Sequence, residues 1–173
     1  NFYRCVQTAA GLLRLMTAGP LQVGIITGSS RVLCHTDRIR GFCDTVANRY
    51  PHIQVLETIE NSDDEFESYD KTLALLMRCP QLNALYFTAG GVYGGCRAVL
   101  SQGRRDIRII AFDDIPTTRD LIEQDVICAT ICQHPDLQGS LPLSLLFDYL
   151  TTGKAPEKEY YYTDVDIRIR ENL

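Results

Sequence analysis

Short, continuous apolar runs recur along this chain, each followed by a segment of helical length, and that alternation constrains the fold more than any other feature. Leu21–Thr27, Ala84–Phe87 and the segments 52–56, 107–112 and 126–131 read as strands. A strand that is apolar on both faces is buried on both, which is the situation of a parallel sheet covered by helices. Between the strands lie amphipathic segments. The clearest is 36–50, where Ile39, Phe42, Cys43, Val46, Ala47 and Tyr50 recur at helical spacing and Pro51 ends the run. Residues 2–16 form a first helix, with Val6, Ala9, Ala10, Leu13 and Met16 on one side and Gly19-Pro20 as its stop. A helix from about Asp64 turns Phe66, Tyr69, Leu73, Leu76 and Met77 inward. Further helices cover 92–102, 116–124 and the stretch from Asp136 to Gly153, and a last strand falls within 160–170. The expected fold is α/β: a doubly wound parallel sheet sandwiched by helices.

One helix fits poorly. Leu141, Leu143, Leu145, Leu146, Phe147 and Leu150 make 136–152 strongly apolar after the parallel units have closed. It needs a partner surface, and Pro142 within it implies a late start or a kink.

Composition removes several functions. A net charge of −5 and a pI near 5.1, with no basic run longer than Arg104-Arg105, leave no surface for direct nucleic-acid contact. No apolar run approaches the ~18 residues of a membrane span. Seven cysteines, an odd number at irregular spacing with no C-x-x-C pair, sit mostly inside apolar stretches. They read as free thiols in a reducing cytoplasm. Three scattered histidines and these cysteines match no zinc pattern, so neither a metal nor a cofactor is expected.

Ligands of open α/β sheets bind beyond the carboxyl ends of the strands. The segments there supply Thr27-Gly-Ser-Ser30 and then Arg38; Asn61, Ser62, Asp63 and Asp64; Thr88 through Tyr93; Asp113 and Asp114; and Gln133. With Phe66 and Tyr93 nearby, this is a ring of hydrogen-bonding groups of both signs, and it lacks the parts of a hydrolytic or redox site. A small polyhydroxylated ligand suits it, because a carboxylate accepts from two adjacent hydroxyls while arginine donates in a fixed fork. Bland readings stand beside each choice. Arg38 could lie on a solvated helix face, Asp113-Asp114 could cap a helix, and Gln133 could be a turn residue. The glycine-rich segments 24–28 and 89–95 spell neither G-x-G-x-x-G nor a P-loop, and close strand–helix packing accounts for them. Cys34-His35 as a nucleophile pair lacks an orienting third group.

The order of these elements resembles the effector-binding domain of lactose-repressor-type regulators, which share their fold with ribose- and galactose-binding periplasmic proteins. The resemblance rests on Asn1-Phe-Tyr-Arg4 with Ala9-Ala10; Val23–Gly28 followed by Arg38-Ile-Arg-Gly-Phe42; Ala84-Leu-Tyr and Arg97-Ala98; and Ile110-Ala-Phe-Asp-Asp114. It continues through Ala129-Thr-Ile-Cys-Gln-His-Pro135, Gln138-Gly139, Phe147-Asp-Tyr-Leu150, Gly153-Lys-Ala-Pro156 and Arg170-Glu-Asn172. It implies sugar contacts from Arg38, Asp113 and Gln133, with a contribution near Phe66. It implies a departure at Thr88-Ala89, where the family commonly has Asn-Asp. It further implies that residues 1–133 form the second lobe of a periplasmic-binding-protein-like domain of type I. Residues 134–160 would belong to the first lobe, whose main body would precede Asn1, and 161–173 would return to the second. The implied protein is a non-catalytic, cytoplasmic, homodimeric sugar sensor touching DNA only through a headpiece outside this chain. Three other readings share the features: the sugar-binding component of a transporter, an α/β enzyme using nucleotides, and a sensor domain fused to a kinase.

Overall fold

The computed structural model describes residues 2–173, apart from the side chains of Phe2 and Arg4. Asn1, the first position of the matched segment 1–4, lies outside the described residues. The elements follow in the order α1 (Phe2–Met16), β1 (Leu21–Thr27), α2 (Leu33–Arg49), β2 (Ile53–Glu60), α3 (Glu65–Arg78), β3 (Ala84–Phe87) and α4 (Val92–Ser101). After them come β4 (Arg108–Phe112), α5 (Pro116–Glu123), β5 (Ala129–Cys132), α6 (Pro135–Thr152) and β6 (Asp166–Arg168). The strands form one sheet in the order β2-β1-β3-β4-β5-β6. Pairing is parallel from β2 to β5, and β6 adds an antiparallel edge with Thr130 opposite Arg168. The fold is therefore the expected α/β sheet flanked by helices. The chain winds outward from β1 in one direction and from β3 in the other, so the switch point lies between those two strands.

The two-residue period of the strands sorts the core into two halves. Val23, Ile25, Tyr86, Ile110 and Phe112 face α1 and α2, with Ala9, Leu13 and Phe42 packed against them. Ile26, Leu85, Phe87, Ile109 and Ala111 face α3, α4 and α5, with Leu75, Val92, Cys96 and Leu121. Phe42 stacks on Tyr86 with ring centroids 4.8 Å apart. Each fully buried large apolar side chain contributes ~1.5–3 kcal/mol, so both faces are well anchored.

Three expectations are corrected. β2 extends four residues past Leu56, because Glu57 and Glu60 can stay solvated on an edge strand while Ile59 is buried. β5 begins at Ala129, leaving Val126 and Ile127 as a packed approach to the strand. The inward face of α3 is Ser68, Thr72, Leu75 and Leu76, whereas Phe66 is 85% and Met77 73% exposed. The small residues win that face because α3 lies hard against α4. Ser68 Oγ donates to the Gly91 carbonyl at 2.6 Å, and a Cβ on Gly94 would fall 1.8 Å from the Glu65 carbonyl oxygen.

No residue of α6 is buried, and Leu143, Phe147 and Leu150 are 69%, 66% and 72% exposed. The helix begins at Pro135 and carries Pro142 inside it, so the late start is not observed. An exposed side chain has little folded-state contact to lose. Phe147→Ser in the 173-residue chain is expected to move the urea midpoint by no more than about 0.5 kcal/mol of stability. A larger loss would show that α6 is packed in solution. No helix among the described residues is long and apolar enough to cross a membrane.

All seven cysteines are free thiols. Burial, reinforced by the Asp114 charge, pushes the Cys132 thiol up to about 11, and burial raises Cys96 further. At pH 8 only about a thousandth of Cys132 is thiolate, and the thiolate is the reactive form. Native labelling with iodoacetamide, read by mass spectrometry, is expected to spare Cys96 and Cys132 until denaturant is added; prompt native alkylation of either would contradict it.

Candidate functional site

The crevice at the switch point is built from the ends of β1 and β3. Thr27 and Thr88 close its floor: both are fully buried, and Thr88 Oγ1 donates to Thr27 Oγ1 at 2.7 Å. Over this floor runs Arg38, from the second turn of α2. It is 6% exposed, which removes the solvated-face reading. Its Nη1 donates to the Thr88 carbonyl, and its guanidinium carbon lies 4.1 Å from the centroid of the Phe112 ring. A carbonyl and a ring face together fix a planar cation in one orientation. Phe112 thus supports the candidate site beneath Arg38; sequence reasoning placed it only at the end of the fourth strand and in the match over Ile110–Asp114. The signal was available, since it directly precedes Asp113 on the face turned toward α2.

The β2 loop supports the crevice from the side. Asn61 is fully buried; its Nδ2 donates to the Gly90 carbonyl at 2.8 Å and its Oδ1 accepts from the Asp63 amide at 3.0 Å. Asp63 Oδ1 in turn accepts from the Gly90 amide at 2.8 Å. Ser62 and Asp63 take left-handed backbone angles (φ 54° and 59°), a conformation that short polar residues tolerate best. On the β1 side the Ser29 amide donates to Nδ1 of the buried His35 at 3.0 Å. That bond gives His35 a structural role, apart from any pairing with Cys34.

Asp113 and Gln133 form the other wall. Asp113 stands at φ 68°, its amide donating to the Ile131 carbonyl and its own carbonyl accepting from Thr130 Oγ1, at 2.9 and 2.8 Å. Those bonds project the exposed carboxylate from the sheet edge, where Oδ1 accepts from Gln133 Nε2 at 3.2 Å. The N-cap of α5 is Ile115, and Asp114 holds Arg119 through two bonds of 2.6 and 2.8 Å. Neither aspartate caps the helix. Gln133 also serves the turn into α6, its carbonyl accepting from Gln138 Nε2 at 2.6 Å.

The structure thus brings together Arg38 with Thr88, and Asp113 with Gln133, with Phe112 between the two pairs in the chain. Phe66 stands apart on the first turn of α3, open to solvent. The glycine-rich segment 89–95 is a packing device: Gly91 opens α4 at φ 77°, and a Cβ on Gly95 would fall 2.4 Å from the Phe87 ring.

A doubly wound sheet with polar side chains beyond the carboxyl ends of its strands is the arrangement in which open α/β domains bind ligands. The chain belongs to the periplasmic binding protein domain family, whose profile matches residues 6–155. Among solved structures it is similar to AraP, an arabinose-binding protein from Geobacillus stearothermophilus, with 26% identity, a TM-score of 0.87 and coverage of 99% of this chain and 62% of that one. It is also similar to a sugar ABC transporter (sugar-binding protein) from Bacillus halodurans, at 29% identity and a TM-score of 0.91, covering 99% of this chain and 63% of that one. The D-allose-binding periplasmic protein of Escherichia coli (strain K12) is 28% identical over 93 residues, 53% of this chain and 30% of that protein. The chain therefore spans less than two thirds of the length of each.

Proposed function

We propose that this chain is one lobe of a two-lobe protein that closes over a sugar or sugar derivative without catalysing its conversion. What supports the reading is that Arg38 is held over the end of β3 and the Phe112 ring, while Asp113 and Gln133, bonded to each other, follow the neighbouring strands β4 and β5. Asp113 can accept from two neighbouring hydroxyls, Gln133 supplies both a donor and an acceptor, and Arg38 is held by contacts that a ligand need not make. The arabinose and allose named for the similar proteins support a monosaccharide of that kind.

The output we assign is regulatory: the effector domain of a lactose-repressor-type regulator, cytoplasmic and homodimeric, meeting DNA through a headpiece outside this chain. The seven free thiols and the Arg170-Glu-Asn172 segment favour it. Sugar would act by binding the two lobe arrangements unequally. The second reading is the sugar-binding component of a transporter, which the Bacillus halodurans protein's description favours.

A thermal-shift panel of sugars, sugar phosphates and nucleotides on the intact protein tests the first step. A ligand at 100 times its dissociation constant adds ~2.7 kcal/mol of stability, an easily read shift. A nucleotide shifting the midpoint while every sugar fails would overturn the reading in favour of an enzyme. Operator-fragment binding that changes with the sugar then selects the regulator; sugar binding with no DNA affinity selects the transporter.

A further inference from the structure

A second carboxylate stands over the crevice, apart from the three side chains given to the ligand above. Asp63, in the loop after β2, reaches across the ends of two other strands. Its Oδ1 accepts from the Gly90 amide at 2.8 Å, just beyond β3. Both of its oxygens lie over Gly28, just beyond β1. A Cβ on Gly28 would fall 2.5 and 2.6 Å from them, and 2.4 Å from Cε1 of His35. A Cβ on Gly90 would meet Asp63 as well, at 3.1 Å. The two glycines therefore leave the space that this carboxylate fills. Asp63 is exposed, yet its backbone is pinned: it stands at φ 59°, and its amide donates to the buried Asn61 side chain at 3.0 Å. Among the described residues no donor reaches Oδ2, and a carboxylate oxygen is an acceptor only.

We infer that Asp63 is a further ligand-binding residue, its Oδ2 accepting from a sugar hydroxyl at the β1–β3 end of the site. This assignment rests on the sugar-binding reading. Along the sheet edge Asp63 lies over the ends of β1 and β3, Arg38 over those of β3 and β4, and Asp113 follows β4. A guanidinium only donates and a carboxylate only accepts. The order acceptor, donor, acceptor selects a ligand that donates from hydroxyls at both ends and accepts between them. Asp63 thereby adds a specificity for the hydroxyl farthest from Asp113.

The test is titration calorimetry on the intact protein, with Asp63→Asn and Gly28→Ala run beside the natural protein. The panel is ribose, arabinose, allose, glucose and galactose, each with its singly deoxygenated analogues. Asparagine accepts the left-handed backbone and keeps an acceptor for the Gly90 amide, so the loop is retained while a donor replaces Oδ2. The sugar that the natural protein binds is expected to bind Asp63→Asn about ten- to a hundredfold more weakly. One of its deoxy analogues is expected to bind both proteins alike, because it lacks the hydroxyl that Oδ2 takes. Gly28→Ala pushes the carboxylate aside and is expected to weaken the sugar about tenfold, a result that stands even if Asp63→Asn folds poorly. Affinity of Asp63→Asn within about twofold of the natural protein would overturn the role of Asp63 and leave the sugar reading intact. An equal loss for the sugar and all its analogues would also overturn it, since a loosened loop and not a lost contact has that effect. Failure of every sugar on the natural protein would instead overturn the sugar reading, and this inference with it.

Discussion

Asp113→Ala is expected to weaken sugar binding by about two to four orders of magnitude, with Asp113→Asn falling between the variant and the natural protein. A carboxylate accepting from two ligand hydroxyls makes two charge-assisted bonds at ~1.5–3 kcal/mol each, and ~1.4 kcal/mol is a factor of ten. Alanine also removes the group that Gln133 Nε2 is bonded to, so the amide loses its orientation. The backbone sharpens the comparison. At φ 68° alanine is strained, whereas asparagine is among the residues that accept that region and keeps an acceptor for Gln133. Calorimetry with the sugar found in the thermal-shift panel separates the contributions. Affinity for Asp113→Ala within threefold of the natural protein would remove Asp113 from the site.

Gly94→Val is expected to destabilise the fold by at least ~3 kcal/mol, at the upper end of what overpacking costs. The new Cβ would fall 1.8 Å from the Glu65 carbonyl oxygen and 2.7 Å from its carbon. Both are backbone atoms, so no side chain can turn aside and α3 must move off α4 as a unit. That movement breaks the Ser68 bond to Gly91 and the 2.6 Å bond from the Gly94 amide to Glu65 Oε2. Because α3 and α4 carry the loops flanking the crevice, the site loosens with the core. Gly139→Ala is the control: it lies in exposed α6 with nothing within 4 Å of its Cβ, and removing a helical glycine gains up to ~1 kcal/mol. Urea denaturation of the three proteins gives the comparison. Equal midpoints for Gly94→Val and the natural chain would mean that the helices are not in contact there.

The parts of the fold legible from sequence were those written in periodicity. The helical spacing of Ile39, Phe42, Cys43 and Val46 marked α2, and the two-faced apolar runs marked β1 and β3, because period and burial are local properties of the chain. α3 was misphased for the converse reason. Its buried face carries Ser68, packed against Gly91 and Gly95, and Thr72, and hydropathy assigns such small polar residues to the outside. The start of β5 was misplaced because Val126 and Ile127 are as apolar as strand residues yet pack without pairing.

The site divides in the same way. Residue type and position after a strand were enough to nominate Arg38, Asp113 and Gln133, since the carboxyl ends of a doubly wound sheet follow from the order of its elements. The direction in which each side chain points depends on neighbours far away in sequence. Thr88 follows β3, and its hydroxyl donates to Thr27, 61 residues earlier, a contact that position after a strand does not show. Arg38 looks like a surface arginine until Phe112 and the Thr88 carbonyl are brought under it. Sequence alone determined the class of sheet and which loops meet at its edge, because strand and helix periods are set by each residue's own neighbours. Only the tertiary structure decided which polar groups remain available to a ligand, because a hydrogen bond between two distant segments exists only once the sheet has brought them within 3 Å.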